Sequence, residues 1–551
     1  MLSRREFLAR SAVAGVGGLL APAALRAQSA PTDIAPNILW ILTSEQRWDS
    51  IAAASKYAWL KTPNLDKLAA EGTLFAEAYC QSPSPVASRV SMLTGRYCHQ
   101  TGVYASFEYH HDEAGCSLPF FTERLRQKGY AVMSVGRECH NRVSRKDPYT
   151  PDGKAYKQLS AFSTFEFRDI WQLGPVPYNS LRPDKDNVEQ ETRAGILRRT
   201  GTRMQPIVAG TSPLPADKTQ TALITDKALE CMQSQVPANT AMFLRVAYLA
   251  PHAPVLPPAP FATLYDTAPI PAPDLDPAVI SAMSVQTKNL YNLNGVHEMT
   301  EPQIRRMRAS YYAFCSHLDD QIGRLVGQFK LRSTLQKRPW VILFCSDHGC
   351  MLGDYGMHEK WAFYGPSVKV PLIAAASDAR FPKGKVCSDL VELVDVPVTL
   401  LKAGATHVPP ELVGRDLADV ANSGVPPRKY VISERKDFGR RAMVRTQDWA
   451  FEMQLGPRPD STAPLLASGI EHLRKLPVSE LDVSLFDVRM DSEQRQELGQ
   501  AAAHKARCEK FRDFLLKKIC GNDRIEVDWS QEVPPPPNAE KQGKGADTDP
   551  I

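Results

Sequence analysis

The sequence predicts an α/β fold followed by a smaller antiparallel-sheet subdomain, and three observations carry that prediction. Short apolar runs recur at 37–43 (NILWILT), 130–135, 242–249 and 340–345, each ended by polar residues, as buried parallel strands are. Between them lie stretches with apolar residues at helical spacing, at 118–128, 221–234 and 305–330. From about Lys429 the pattern changes to closely spaced short strands at 430–434, 441–445 and 449–453.

Composition narrows the classes. The chain has 551 residues, enough for a large core and two structural units, and is 43% hydrophobic and 23% charged, as globular proteins are. Its 44 prolines point to long ordered loops. The formal charge is +5, but Arg4, Arg5, Arg10 and Arg26 against Glu6 place +3 of it in the first 27 residues. The remainder is close to neutral, which gives no case for nucleic acid or a membrane surface as partner. Eleven cysteines without short paired spacing indicate neither a zinc site nor a dense disulfide scaffold. Nothing in the sequence sets an oligomeric state.

In chain order, residues 1–27 read as an export signal. Charged residues precede a short apolar, glycine-containing run, and a small residue, Ala27, closes it. The paired Arg4-Arg5 before Phe7-Leu8 is of the twin-arginine type, so a periplasmic or secreted chain without a membrane span is expected. The strand at 37–43 leads into Ser44-Glu45-Gln46-Arg47, at the strand end where open α/β sheets place ligands. Residues 62–68 (TPNLDKL) start a helix with an early proline, and 72–75 form a short strand. Residues 79–97 (YCQSPSPVASRVSMLTGRY) are a proline-broken loop feeding a helix N-terminus, where unpaired N–H groups favour an anion. Ser88 is read there as the helix N-cap. The strand at 130–135 ends on Gly136-Arg137-Glu138-Cys139-His140. Residues 145–215 are polar and weakly periodic, an insertion expected to shape a pocket. The strand at 242–249 ends on Ala250-Pro251-His252-Ala253-Pro254, and that at 340–345 on Ser346-Asp347-His348-Gly349. Residues 501–518 read as a C-terminal helix; after Gly521 the chain is proline-rich and polar, and 526–551 are expected to be disordered.

The loop at 79–97 resembles the active-site signature of the sulfatase family, within the alkaline-phosphatase superfamily. Tyr79, Cys80, Ser82, Pro83, Ser88, Arg89, Leu93, Thr94, Gly95 and Arg96 fall on its pattern without gaps. The cysteine that the family oxidises to its formylglycine nucleophile falls on Pro85, so no formylglycine is expected. The second family signature matches at Ser346-Asp347-His348-Gly349 and at 352–360 (LGDYGMHEK). Further matches lie at 62–68, at the long helix carrying Asp319 and Asp320, at 367–373 (a strand), at 391–401 (a helix), at 414–417 and at 484–487. The resemblance implies an alkaline-phosphatase-like mixed sheet sandwiched by helices over 35–428, with a C-terminal subdomain at 429–525. It implies a divalent cation, calcium or else magnesium, held by Glu45, Asp347 and His348. Ser44 stands where the family has a further acid. It also implies that Arg89, Arg137 (at a lysine position) and Lys360 face an oxyanion, that His252 contacts the ester, and that Asp319 is structural.

Ester cleavage needs a nucleophile, cations for the equatorial oxygens and an acid for the leaving oxygen. Arg89, Arg137 and Lys360 supply the charge and His252 is the candidate acid. The nucleophile is open; Ser84, one residue before Pro85, is the candidate. The expectation is a sulfatase-like hydrolase acting on sulfate esters of an organic substrate, a small-molecule or saccharide anion. The alternatives are a phosphoester or phosphonate hydrolase using Ser84, a non-hydrolytic binding protein, and a different reaction such as elimination.

Overall fold

A computed structural model describes residues 34–105, 120–136, 192–199, 206–273, 275–455 and 473–520. The export signal at 1–27, Arg137 with Cys139 and His140, most of the insertion at 145–215, and the tail at 526–551 lie outside the described residues. Among those described, no helix is long and apolar enough to cross a membrane.

The apolar runs form a seven-stranded mixed sheet. Its strands are β1 (Asn37–Ser44), β2 (Gly72–Tyr79), β3 (Ala131–Gly136), β6 (Met242–Pro251), β7 (Trp340–Ser346), β8 (Leu372–Ala376) and β9 (Lys385–Glu392), in spatial order β3-β6-β1-β7-β8-β2-β9. Between β3 and β6 in the chain, β4 (Leu197–Arg198) and β5 (Ile207–Ala209) make a separate two-stranded ribbon. β3, β6, β1 and β7 pair in parallel. β8 is antiparallel to both its neighbours, and β2 and β9 are parallel to each other. β8 therefore runs against the other six, and β1, β2, β6 and β7 all end on one edge.

Alternation along the strands explains the layers, because successive side chains leave on opposite faces. Leu39, Ile41, Leu244, Val246, Ile342 and Phe344 face one core. Ile38, Trp40, Leu42, Phe243, Leu343 and Cys345 face the other. The first face is covered by helices α4 (Gln220–Ser234) and α5 (Glu301–Leu335), through Ile224, Tyr311, Leu318 and Phe329. Earlier in the chain lie α1 (Pro63–Ala70), α2 (Pro85–Thr94) and α3 (Thr122–Gln127), with a single helical turn at Cys98–Thr101 between the last two. Helix α6 (Asp395–Ala403) covers the second face with Val396, Leu400 and Leu401. A sheet buried on both faces is why these strands read as continuous apolar runs.

Strands β10 (Tyr430–Arg435), β11 (Arg441–Thr446), β12 (Trp449–Gln454) and β13 (Val483–Asp487) form the antiparallel sheet expected near the C-terminus. Helix α7 (Lys505–Cys520) packs Phe511, Leu515 and Ile519 on it. Several expected bounds shift: the helix expected at 118–128 is Thr122–Gln127, and that expected at 305–330 is Glu301–Leu335. The segment 367–373 begins as a single helical turn, Gly365–Val368, and the strand starts at Leu372, after Pro371, which has no N–H for the ladder. In 391–401, Val391 and Glu392 belong to β9, paired with Ala78 and Tyr79, and the helix starts at Asp395. The last helix starts at Lys505, after a 3-10 turn at Ala502–His504.

Candidate functional site

Four strand ends converge on one edge of the sheet, and the candidate residues follow directly from them. Ser44 is the last residue of β1, and Glu45 next to it has a left-handed backbone (φ 65°). That conformation is uncommon for a side chain with a Cβ and survives only where the surroundings fix it. Here the Glu45 N–H donates to Asp347 Oδ1 (3.0 Å) and its carbonyl accepts from the Tyr311 hydroxyl of α5 (2.8 Å). Asp347 and His348 follow β7. Gly349 is required after them: a Cβ there would lie 2.0 Å from the Pro366 carbonyl oxygen.

The loop after β2 feeds α2, in which every residue is buried. Ser84, not Ser88, is its N-cap, and the Ser84 hydroxyl makes no capping hydrogen bond. Pro85 is the first helical residue, where a missing N–H costs nothing. This corrects the reading of Ser88: it lies inside the helix, and its hydroxyl donates to the Asp347 carbonyl (2.5 Å). One turn in, Arg89 Nη1 donates to Asp347 Oδ2 at 2.5 Å, and both groups are buried.

His252 follows β6, and Lys360 arrives from the loop after β7. Lys360 sits between two left-handed residues, Glu359 (φ 61°) and Trp361 (φ 75°), so the backbone there is held out of its preferred regions on both sides. Its ammonium donates to Glu45 Oε2 (3.0 Å) and lies 2.9 Å from His252 Nε2, while His252 Nε2 is 3.2 Å from Glu45 Oε2. His252 Nδ1 lies 2.7 Å from the Ala253 carbonyl oxygen. The proton therefore sits on Nδ1, and Nε2 accepts from Lys360. Burial raises the Glu45 carboxyl above its ordinary value, with Lys360 opposing. Beside His252 a cleft opens, lined by Leu214, Leu249, Pro254, Leu256 and Phe314.

The structure thus brings together Glu45, Ser84, Arg89, His252, Asp347, His348 and Lys360 at one sheet edge; Arg137 lies outside the described residues. Sequence reasoning missed Arg199, fully buried at the end of the β4–β5 ribbon, with Nη2 3.5 Å from Glu359 Oε1. Burial lowers its guanidinium below the ordinary value. Nothing in residues 195–201 (GILRRTG) marks it. His358 is buried beside Lys360 and is pushed well below an ordinary imidazole by burial, Arg199 and Lys360. Asp319 is structural, as expected: its carboxylate accepts from the backbone N–H of Asn64 (3.1 Å) and Leu65 (2.8 Å) at the start of α1.

The divalent cation implied by the resemblance can be tested on these donors. Asp347 Oδ1 accepts from the N–H of Glu45 (3.0 Å) and His348 (2.9 Å), and Oδ2 from Arg89 (2.5 Å) and Ser44 Oγ (3.2 Å). That fills the four acceptor positions of a carboxylate. Glu45 is held by Lys360, and no group of three His, Cys, Asp or Glu side chains poised for a metal occurs among the described residues. A hard cation needs about six to eight oxygen ligands, and this set does not fit one.

The comparisons with known proteins agree with this architecture. A family model described as Sulfatase matches residues 36–405. An arylsulfatase of Clostridium perfringens is 24% identical, over 81% of this chain and 94% of its own length. Iduronate 2-sulfatase of Homo sapiens is 28% identical, over 70% of this chain and 71% of its own. The crystal structure of phosphonate monoester hydrolase of Agrobacterium radiobacter superposes with a TM-score of 0.66 at 20% identity, covering 88% of this chain and 95% of that one.

Proposed function

The chain belongs to the sulfatase family, and on that premise we propose that it hydrolyses sulfate esters of a small organic molecule or saccharide without a formylglycine. The observation that carries this reading is the meeting of Arg89, His252 and Lys360 at the strand ends beside the N-terminus of α2. The ester oxygens would lie against that N-terminus and the Lys360 ammonium, where developing negative charge is stabilised. The organic part would occupy the cleft beside His252. Attack on sulfur breaks the bond to the organic oxygen, which takes the proton shared by Lys360 Nζ and His252 Nε2.

The attacking group is Ser84 Oγ or water. With Ser84, the serine–sulfate bond forms as the Oγ proton passes, through solvent, to the Lys360–His252 pair in place of the one that pair gave up; water then attacks the sulfur, one of its protons returns to Ser84 and hydrogen sulfate leaves and ionises. A second reading is a phosphate or phosphonate ester hydrolase using Ser84, which stands at the N-terminus of α2. Residues 1–27 are carried into the proposal as an export signal, which places the protein in the periplasm or outside the cell. Calcium has no part in the proposal, because the described donors do not fit it.

The test is turnover of nitrophenyl sulfate, phosphate and phenylphosphonate by the full chain and by Ser84→Ala. Sulfate turnover is expected. Loss of roughly three or more orders of magnitude in Ser84→Ala assigns the nucleophile to serine, and survival of activity assigns it to water. Preference for the phosphorus esters would replace the first reading by the second. No turnover, with binding of inorganic sulfate, would leave a binding protein, and a product with a new double bond would mean elimination.

A further inference from the structure

Charge balance at the strand ends carries an inference about how this site holds an anion. The described site contains the carboxylates of Glu45, Asp347 and Glu359, and each is paired with a fixed cation: Lys360 at 3.0 Å, Arg89 at 2.5 Å and Arg199 at 3.5 Å. No carboxylate among them is left without a cation. A divalent ion entering here would add two charges to a buried neutral cluster, and it would have to displace Arg89 from Asp347. Both steps oppose binding in a low-dielectric interior.

The donor that most favours a metal is His348 Nε2. It is buried with no hydrogen-bond partner, and its Nδ1 faces the Gly349 carbonyl oxygen at 2.9 Å. One imidazole nitrogen beside a saturated carboxylate is nevertheless a poor site for an oxygen-seeking cation. Ser44 is the other half of the argument: a hydroxyl 3.2 Å from Asp347 Oδ2 stands where an acid would supply the missing negative charge.

We propose that the guanidinium of Arg89, seated on Asp347, and the ammonium of Lys360, seated on Glu45, take the place of a divalent metal here, so that the pocket binds a tetrahedral oxyanion through protein cations alone. This rests on the reading of the pocket as an ester-anion site, and the experiment separates the two.

The full chain, purified without chelator, is analysed for calcium, magnesium, manganese and zinc, and its melting temperature is followed with EDTA, with each metal, and with inorganic sulfate in EDTA. The expected result is far less than one ion per chain and a melting temperature unmoved by EDTA or metals. About one ion per chain, removed by EDTA with a fall in melting temperature, would overturn the proposal. Ser44→Asp restores one acid and is expected to gain a calcium-dependent rise in melting temperature that wild type lacks. A Ser44→Asp chain as indifferent to calcium as wild type would overturn charge balance as the cause. Sulfate in EDTA is expected to raise the melting temperature of wild type. If it does not while the metal result stands, the anion-site reading fails and the absence of a metal remains.

Discussion

His252 is the residue whose role is most open to measurement, because its neighbours define what it can do. With its Nδ1 proton directed at the Ala253 carbonyl and Nε2 accepting from Lys360, it handles one proton at the mouth of the cleft. Protonation of the leaving oxygen matters most when that oxygen is basic. His252→Ala should therefore lower kcat on alkyl sulfates by about 10²–10⁴ and change kcat on nitrophenyl sulfate much less. An equal loss on both would make His252 a positioning residue. Lys360 differs, since it also faces the anion and neutralises Glu45, so Lys360→Met should lose about 10²-fold or more on both substrates. Most of these residues were legible in the sequence because they sit in contiguous signatures after strands, where a short motif and a strand end fix the position together. Arg199 was not, because only folding of a ribbon remote in sequence brings it to Glu359. Ser88 was misread for a local reason: a serine next to a helix start is a good cap in isolation, but Pro85 begins the helix three residues earlier.

At the scale of elements, α1 shows how the long helix holds the smaller parts in place. Its N-cap, Thr62, makes no side-chain capping bond, and Asp319 of α5 accepts from the N–H of Asn64 and Leu65 instead. The carboxyl also takes the Asn64 amide at 2.9 Å, and burial still raises it to about 6. Asp319→Ala leaves two helix-start N–H groups buried without that acceptor, so a loss of about 1–3 kcal/mol is expected in urea unfolding. Asp319→Asn, which keeps one acceptor oxygen, should lose less. Equal stability of Asp319→Ala and wild type would show that water caps α1 just as well. The elements themselves were legible where burial on both faces made a strand continuously apolar, as in β1, β6 and β7. Bounds failed where a proline or a strand pairing decided them, at Pro371 before β8 and at Val391 in β9. There the deciding partner lies far away in the sequence: Val391 pairs with Ala78.

For the whole molecule, the order of the strands matters more than any one of them, since it sets β1, β2, β6 and β7 ending on one edge while β8 runs the other way. Holding such a sheet between helices also buries polar groups outside the cluster of charged site residues, and one of these should govern behaviour in acid. His317 of α5 lies fully buried against the rings of Phe261 and Phe314, with Nε2 3.3 Å from the Ala216 carbonyl oxygen and Asp320 its nearby charge. Burial pushes its imidazole down to about 4. A group lowered in the fold contributes its full stability above its unfolded value, near 6.5, and loses it as pH falls from there toward 4. The unfolded chain binds the proton first, so acid favours unfolding, by on the order of 3 kcal/mol at most for this one group. His348, also lowered to about 4 by burial, adds to the same window. The check is the melting temperature of wild type and His317→Gln between pH 7.5 and 4.5. The variant should start lower, because it loses packing at all pH values, and should fall less steeply with acid. Parallel curves would show that His317 takes up its proton without unfolding the chain.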